Sequence, residues 1–389
     1  MKLLKTICIL CIAFSTIQVE AQDSSNIEHV INSEVFNKER KVRVFLPQRY
    51  KNDTISNFAV VYILDAQSDL FWNMAKGNIG YTVDNYASMP MIAVGIVSDN
   101  RGSEFNPENT ELQEHLKKEV FPLIEKNYRT DGFRTIVGHS WGGAFVSNTL
   151  FSENKDMFDA YIGISPSFGD TDNIIEKNAA KMLKNNTVFR KYLYLSHGDV
   201  GRRELEFGGY VNSIDKLIKQ YPNESLAWEP RLIERVDHWQ IVGPSLCDGL
   251  VSMSRNYFAD QKIMEDLSKS SSGDLKAQVE AFNKKRKMLF GYVHEPSASY
   301  LNFVANDFRD VEDYKTALVG YHMALDKKPN DVKVFVNICD VYDKIGDKTK
   351  AKSSFQKALK LMDEQKDELS ESYYRDVSEW IKKKLESYN

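Results

Sequence analysis

The chain has 389 residues and a formal net charge of −4, with 42% hydrophobic and 27% charged residues. The length is typical of two domains rather than one, and the composition is that of a globular protein with ample core material. The small net charge, with no dominant basic cluster, argues against a nucleic-acid-binding protein.

The first 21 residues differ in character from the rest. Met1–Lys5 carries two lysines, Thr6–Ile17 is a short apolar run, and Val19–Ala21 offers small residues for cleavage. This order predicts a secretory signal peptide at residues 1–21, since the apolar run is too short to span a bilayer comfortably. We therefore expect an exported protein, periplasmic or secreted; the alternative is an amphipathic helix at the start of a cytosolic protein.

Cysteine usage points to neither a disulfide framework nor a metal site. Neither Cys8 nor Cys11 follows a small residue, which favours a soluble exported protein over a lipoprotein. Removal of the signal peptide would leave Cys247 and Cys339, which fall in different predicted domains. No Cys/His cluster has zinc-ligand spacing, so we expect no metal and no cofactor.

Residues 22–260 alternate between strand and helix patterns. Alternating segments predict an entering hairpin, apolar runs predict buried strands, and helical spacing predicts crossover helices. The hairpin strands are predicted at Val30–Phe36 and Arg40–Pro47, the buried strands at Phe58–Leu64, Pro90–Val97, Arg134–Gly138, Ala160–Ser165, Lys191–Ser196 and Glu229–Val236, and the helices at Glu111–Lys126, Gly209–Gln220 and Gly243–Ala259. This order predicts an α/β domain with a doubly wound, mostly parallel sheet.

The remainder of the chain is predicted to be helical. Residues 261–297 form a Ser-rich linker and connecting helix, and residues 298–389 form an all-α domain. Small residues recur with a 34-residue period, at Ala305, Ala317 and Ala324 and again at Cys339, Ala351 and Ala358. This resembles two tandem tetratricopeptide repeats over Ala298–Gln365, followed by a cap helix at Leu369–Leu385. The alternative is a helical bundle without repeat ancestry, and in either case Cys339 is a small core residue.

One short stretch carries the chemistry. Gly138-His-Ser140-Trp-Gly142 is a G-x-S-x-G sequence that ends a predicted strand and is followed by helix-forming residues. This context predicts a nucleophile elbow, in which Ser140 stands exposed on a strained turn. Gly138 and Gly142 are expected where side chains would collide as the strand and the helix close together. The alternative is a Gly-rich structural turn.

A serine nucleophile needs a base, and the order in this fold is serine, acid, histidine. His238 follows the last predicted strand and precedes the last helix of the α/β domain, which is the expected position of the catalytic base. His197 ends a strand too early to leave room for an acid, and His294 and His322 belong to the helical domain.

The acid is expected in the loop that follows the predicted strand Lys191–Ser196. Asp199 is the first candidate because it directly follows a strand, and Glu204 and Glu206 could reach back from the next helix. Each carboxylate could instead pair with Arg202 or Arg203, which would be a weak surface contact. A Ser-His dyad without an acid is the remaining alternative.

An oxyanion hole requires two main-chain N–H donors. One should come from the residue after the nucleophile, which is Trp141. The second should follow the Phe58–Leu64 strand, where Ala66 and Gln67 are the candidates.

Four segments together resemble the esterase family that includes enterochelin (siderophore) esterases, feruloyl esterases, esterase D and the mycolyltransferases. They are Tyr62–Gln67, Ala93–Arg101, Gly138–Gly143 and Ile162–Ser167. The resemblance implies a serine hydrolase of α/β-hydrolase fold, with Ser140 as nucleophile, His238 as base and the amides of Gln67 and Trp141 as oxyanion donors.

Aromatic residues near the predicted cleft are candidates for an acyl or leaving-group pocket, with core packing as the alternative for each: Trp72, Trp141, Phe168 and Trp239. Arg101 is predicted at the edge of this pocket, where it would bind an anionic or catecholic substrate or pair with Asp99 or Glu104.

These features predict an exported serine esterase acting through an acyl-enzyme, on a siderophore or carbohydrate-linked ester. A peptidase or acyltransferase could use the same triad. A different class is a scaffold protein whose helical repeats bind a protein or a second copy of the chain. No membrane span and no nucleic-acid partner are expected.

Overall fold

The computed structural model describes residues 26–54, 56–85, 87–169, 173–257, 275–290 and 297–388. The predicted signal peptide at residues 1–21 lies outside the described residues, as does most of the Ser-rich linker. Within the described ranges, no helix combines the length and apolar character that a membrane crossing requires.

The first part of the described chain is built on one sheet. Its strands are β1 Asn26–Ser33, β2 Lys38–Phe45, β3 Phe58–Ile63, β4 Met91–Ile96, β5 Thr130–His139, β6 Ala160–Ile164, β7 Lys191–His197 and β8 Leu226–Leu232. The spatial order is β1-β2-β4-β3-β5-β6-β7-β8. The β1–β2 and β2–β4 pairs are antiparallel and the pairs from β4 through β8 are parallel, which confirms the predicted hairpin and the mostly parallel sheet.

Helices cover both faces of this sheet. They are α1 Gln48–Asn52, α2 Asp69–Asp84, α3 Arg101–Glu104, α4 Glu111–His115, a π-helical turn at Leu116–Val120, α5 Phe121–Asn127, α6 Trp141–Leu150, α7 Ile174–Lys184, α8 Arg202–Gln220 and α9 Val242–Tyr257. Successive strand residues alternate between two buried clusters, so that Val60 and Tyr62 pack on one face while Val61 and Ile63 pack against α2 and α9 on the other. This is the doubly wound arrangement expected from nearly continuous apolar strands.

Several boundaries differ from the sequence prediction. Strand β1 spans Asn26–Ser33 rather than Val30–Phe36, and a π-helical turn at Leu116–Val120 interrupts the helix predicted at Glu111–Lys126. Helix α8 begins at Arg202 rather than Gly209, and Gly208 and Gly209 lie inside it. A Cβ at Gly208 would come within 2.7 Å of the His197 ring, so the glycine allows α8 to lie close to the end of β7. Strand β8 spans Leu226–Leu232 rather than Glu229–Val236. Its Pro230 is tolerated because β8 is an edge strand.

From residue 275 onward the described chain is helical. The helices are α10 Leu275–Phe290, α11 Ala298–Asp310, α12 Tyr314–Lys327, α13 Val332–Lys344, α14 Lys348–Glu364 and α15 Glu371–Ser387, with a 3₁₀ turn at Lys366–Glu368. Helices α11 to α15 begin at serine or aspartate N-caps whose side chains accept main-chain hydrogen bonds: Ser297, Asp313, Asp331, Asp347 and Ser370.

The small residues with the 34-residue period are buried, and Cys339 lies in the core formed by α13, α14 and α15. The region predicted to be helical is therefore helical in the described residues, while its division into tetratricopeptide repeats stays a prediction.

Candidate active site

The expected nucleophile stands on a sharp turn between β5 and α6. Ser140 has φ 60° and ψ −118°, a backbone conformation that is costly for a residue with a side chain. Main-chain hydrogen bonds hold it there, because the Ser140 N–H donates to Ile164 O at 3.0 Å and Ser140 O accepts from the Ser167 N–H at 3.1 Å. The turn has the geometry predicted for a nucleophile elbow.

The glycines around this turn have unequal roles. A Cβ at Gly138 would lie 2.2 Å from Gly142 O, so a side chain there is incompatible with the close approach of strand and helix. A Cβ at Gly142 would meet only ordinary contacts, the nearest at 3.5 Å, and the expected collision at Gly142 is therefore wrong. The second tight position is Gly143, whose Cβ would lie 3.0 Å from Pro166 Cα.

The structure brings His238 and Glu204 together. His238 lies between β8 and α9, and its Nδ1 is 2.8 Å from Glu204 Oε1 in the first turn of α8. The other carboxylate oxygen, Oε2, accepts hydrogen bonds from Ser165 Oγ at 2.8 Å and from the Gly198 N–H. With 0% of its surface exposed, Glu204 has a fixed position from which to orient the imidazole.

Opposing effects act on the Glu204 carboxyl. Burial by itself raises its pKa, but hydrogen bonds from His238, the Gly198 N–H and Ser165 together hold the pKa below its ordinary value. Glu204 is therefore a carboxylate at neutral pH, and it accepts the hydrogen bond from an Nδ1–H of His238. That tautomer leaves Nε2 of His238 available as a base.

The other acid candidates are bound elsewhere. Asp199, the first candidate from the sequence, accepts a hydrogen bond from the Arg235 N–H at 2.6 Å. Glu206 accepts one from the Tyr210 hydroxyl at 2.7 Å. The preference for Asp199 is corrected by this geometry, because α8 starts seven residues earlier than predicted and carries Glu204 into the site.

His139 is a site residue that the sequence analysis did not single out. Its Nε2 lies 2.8 Å from His238 O, and the two imidazole centroids are 4.4 Å apart. His139 is 4% exposed, and burial, reinforced by the neighbouring His238, lowers its pKa to about 3. The ring is therefore neutral at pH 7 and donates its Nε2–H to His238 O. Its position beside Ser140 was the signal that could have identified it.

The two candidate amides of the oxyanion loop are distinguished by their partners. The Ala66 N–H donates to Ile96 O at the end of β4 at 3.0 Å, so this donor is already used. The Gln67 side chain donates from Nε2 to Asp65 Oδ1 at 2.9 Å and accepts from the Ser98 N–H at 3.0 Å. Gln67 thus stays as the candidate donor from this loop. Trp141 is the first residue of α6, at the positive end of the helix dipole.

Arg101 is held by a carboxylate that the sequence analysis did not consider. Its Nε and one terminal nitrogen donate to the two oxygens of Asp65, at 2.7 and 3.0 Å. Asp99 instead pairs with Lys38, and Glu104 pairs with Arg40. The expected pairing of Arg101 with Asp99 or Glu104 is therefore wrong. Arg101 also lines a small cavity beside Trp141, and its expected contact with an anionic or catecholic substrate stays a prediction.

The predicted aromatic pocket divides into core and surface residues. Trp72 is 4% exposed and packs beneath Gly95, and Phe168 is 2% exposed and stacks on Tyr210 at 5.3 Å between centroids. Both belong to the hydrophobic core, so their assignment to substrate binding is wrong.

The other two tryptophans reach the surface beside the elbow. Trp239 is 73% exposed, with its ring 5.4 Å from that of His238. Trp141 is 39% exposed and lines a cavity of about 70 Å³ together with Phe105, Pro107 and Ser167. These two rings are available to a ligand at the site.

The fold explains why these residues meet. The candidate site residues follow the carboxyl ends of parallel strands: Gln67 after β3, Arg101 after β4, Ser140 after β5, Glu204 after β7 and His238 after β8. Parallel strands end at one edge of the sheet, which is where ligands bind in open α/β folds.

Comparison with known proteins gives a family and a fold. A family model described as putative esterase matches residues 33–235, just over half of the chain. No curated protein is similar enough in sequence to match.

Several solved structures share the fold. An IroE-like serine hydrolase from Shewanella oneidensis is 18% identical with a TM-score of 0.61, covering 77% of this chain and 98% of that one. An uncharacterised protein from Capnocytophaga ochracea is 14% identical with a TM-score of 0.65, covering 86% and 93%. The siderophore hydrolase EstB from Aspergillus nidulans is 19% identical with a TM-score of 0.52, covering 59% and 95%. At these identities the likeness shows an α/β-hydrolase-type fold.

Proposed function

The chain belongs to the putative esterase family, and from this premise we propose that it is a serine esterase in which Ser140, His238 and Glu204 form the catalytic triad. The observation that carries the proposal is the hydrogen bond from Nδ1 of His238 to buried Glu204. Ser140 is held in a strained elbow conformation, and its neighbour His139 donates a hydrogen bond to His238 O at 2.8 Å. A nucleophile, an acid and a base in this chain order match the template of the fold.

The reaction begins with acylation. Ser140 Oγ attacks the ester carbonyl while Nε2 of His238 accepts the hydroxyl proton, and Glu204 stabilises the resulting imidazolium. The main-chain N–H groups of Trp141 and Gln67 donate to the oxyanion of the tetrahedral intermediate. His238 then gives its proton to the departing alcohol, which leaves an acyl group on Ser140. A water molecule, deprotonated by His238, releases the acid and restores the serine.

The test compares two serine variants on a simple ester. Ser140→Ala should abolish hydrolysis of p-nitrophenyl acetate and labelling by a fluorophosphonate probe, because both reactions need the same nucleophile. Ser213→Ala on α8, where the hydroxyl donates to Tyr210 O of the same helix, is the matched control and should retain both. Hydrolysis by Ser140→Ala at the wild-type rate would rule out the proposal.

For the natural substrate we propose a siderophore ester or a carbohydrate-linked ester. The support is the family resemblance, and EstB, which shares the fold, is described as a siderophore hydrolase. Purified protein should be assayed against a catecholate siderophore with and without iron, a feruloyl ester, acetylated sugars and a lipid ester. Equal rates on all of them would exclude a dedicated substrate. Cleavage of peptides, or acyl transfer to added alcohols in preference to water, would support a peptidase or an acyltransferase instead.

We propose that the protein is exported after cleavage behind Ala21, on the basis of the N-terminal sequence pattern. N-terminal sequencing of the protein from the producing cell's extracytoplasmic fractions should begin at Gln22. Recovery from the cytoplasm with Met1 intact would contradict export.

For the helical domain we propose tetratricopeptide-like repeats that bind a protein or a second copy of the chain. One support is that the three small residues of each predicted repeat are buried. The other is the half-exposed Phe303 ring on α11, which a partner could cover. Light scattering of the full chain measures self-association, and Phe303→Ser should weaken any dimer found. If the chain is a monomer at all concentrations, the proposal is limited to binding another protein. Crosslinking in the producing cell, with Phe303→Ser as control, tests that form.

A further inference from the structure

Asp65 lies in the loop between β3 and α2, which also carries Gln67, and forms an ion pair with Arg101. Asp65 follows β3, is buried, and adopts a φ of 62°, a left-handed conformation that is uncommon for residues other than glycine. Its two oxygens accept from Nε and a terminal nitrogen of Arg101 at 2.7 and 3.0 Å. A bidentate pair of this kind fixes the relative orientation of both groups as well as their distance.

Arg101 is itself anchored on two sides. Its terminal nitrogen also donates to His139 O at 3.4 Å, one residue before the nucleophile, and its guanidinium carbon lies 5.4 Å from the Trp141 ring. The loop that carries it is held by Glu104, whose buried carboxylate binds Arg40 at 2.8 Å. The Arg101 guanidinium thus joins the loop after β4 to the elbow.

Gln67 completes the connection. Its side chain donates to Asp65 Oδ1 at 2.9 Å and accepts from the Ser98 N–H at 3.0 Å. The same carboxylate oxygen that receives Nε of Arg101 therefore also holds Gln67. The position of the Gln67 main chain relative to Ser140 depends on this set of hydrogen bonds.

We propose that Asp65 and Arg101 are positioning residues that aim the Gln67 N–H at the oxyanion. This inference rests on the proposed esterase function. Preorganised donors stabilise the transition state only when they are aimed at the position where charge develops. A lysine cannot reproduce the two-pronged contact of arginine, so the pair should be sensitive to an exchange that preserves charge.

The experiment measures kcat and KM for p-nitrophenyl acetate in Arg101→Gln, Arg101→Lys and Asp65→Asn. Loss of one oxyanion donor typically lowers the rate about 10²- to 10³-fold, and a misaimed donor should lower kcat by about 10- to 100-fold with KM within about threefold. Arg101→Lys should fall between wild type and Arg101→Gln. The double variant Asp65→Asn/Arg101→Gln should be no slower than the worse single variant, because both remove one interaction.

A second readout reports on the oxyanion itself. Replacing the carbonyl oxygen of the substrate by sulfur gives a larger, weaker acceptor that an oxygen-sized donor site does not stabilise well. Wild type should therefore prefer the oxygen ester over the matching thionoester, and this preference should shrink in Arg101→Gln. A variant that merely folds less well would lose both activities in proportion, and thermal unfolding of each variant measures that contribution.

Arg43→Gln is the matched control. Arg43 pairs with Asp69 at 2.6 Å, at the start of α2 and close in sequence to the oxyanion loop, and this partly exposed pair does not bond Asp65 or Gln67. Its kcat should stay within about twofold of wild type, as for a surface ion pair.

The outcomes separate this inference from the proposed function. Unchanged kcat in Arg101→Gln, or a large rise in KM with unchanged kcat, would overturn the positioning role while Ser140→Ala still abolishes hydrolysis. Full hydrolysis by Ser140→Ala would instead remove the proposed function on which the inference depends. If Arg101→Gln does not fold, Arg101→Lys and Asp65→Asn decide the question by the same two readouts.

Discussion

Oε1 of Glu204 lies 2.8 Å from Nδ1 of His238, and this contact joins the first turn of α8 to the loop before α9. The carboxylate is buried and has hydrogen-bond donors at both oxygens, Ser165 and Gly198 serving the second. A carboxylate with this environment holds an imidazole in one tautomer and one orientation.

Glu204→Gln tests that role directly. The amide cannot stabilise the imidazolium and can favour the wrong tautomer, so kcat for p-nitrophenyl acetate should fall by about 10³- to 10⁴-fold. Asp199→Asn, which alters only the contact to the Arg235 N–H, should change kcat less than about twofold. The reverse ranking of the two variants would restore Asp199 as the acid.

Gly138 and Gly142 should differ in their tolerance of a methyl group. A Cβ at Gly138 would lie 2.2 Å from a main-chain oxygen that cannot move without opening the elbow. Gly138→Ala should therefore lower the free energy of unfolding by about 1–3 kcal/mol or more, as overpacking does, whereas Gly142→Ala should cost less than about 1 kcal/mol. Urea denaturation of both variants measures the difference, and equal stabilities would contradict the clash.

His139 should make stability depend on pH. Burial lowers its pKa to about 3 in the folded chain, against an ordinary value of 6.5. As pH falls below 6.5 the unfolded chain binds a proton that the folded chain does not, so the free energy of unfolding decreases on acidification. This effect amounts to about 1–2 kcal/mol between pH 6.5 and pH 5, a window above the range in which carboxylates titrate.

His139→Asn should flatten this pH dependence. Denaturant unfolding at pH 6.5 and pH 5 should show a smaller difference for the variant than for the wild type. An identical difference in both proteins would mean that other groups cause the acid sensitivity.

Trp239 is expected to contact aromatic substrates. Its ring is 73% exposed and lies 5.4 Å from the His238 ring. An aromatic contact is worth about 0.5–1.5 kcal/mol, so Trp239→Ala should raise KM for a feruloyl ester by about two- to thirteenfold and leave KM for methyl acetate nearly unchanged. Tyr81→Ala, on an exposed part of α2, is the control and should change neither value.

Several features follow from sequence alone because they depend on local patterns. Apolar runs alternating with helical patterns predict the mostly parallel sheet, and a glycine-flanked serine between a strand and a helix predicts the elbow at Ser140. His238 is identified by its place in the chain order. The helical domain is predicted from the period of small residues, and the structure shows helices there.

The tertiary structure alone decided which side chains meet. Glu204 and His238 are 34 residues apart, and Asp65 and Arg101 are 36 apart. For the acid, the same loop offered Asp199 as well as Glu204, and chain order could not rank the two. For Arg101, carboxylates nearby in sequence were the obvious ion-pair partners, and chain order gave no reason to choose Asp65. Likewise, Trp72 and Trp239 have the same side chain, yet one packs beneath Gly95 and the other is exposed. Burial and long-range hydrogen bonding depend on where helices such as α8 begin and lie against the sheet, and local sequence patterns do not contain that information.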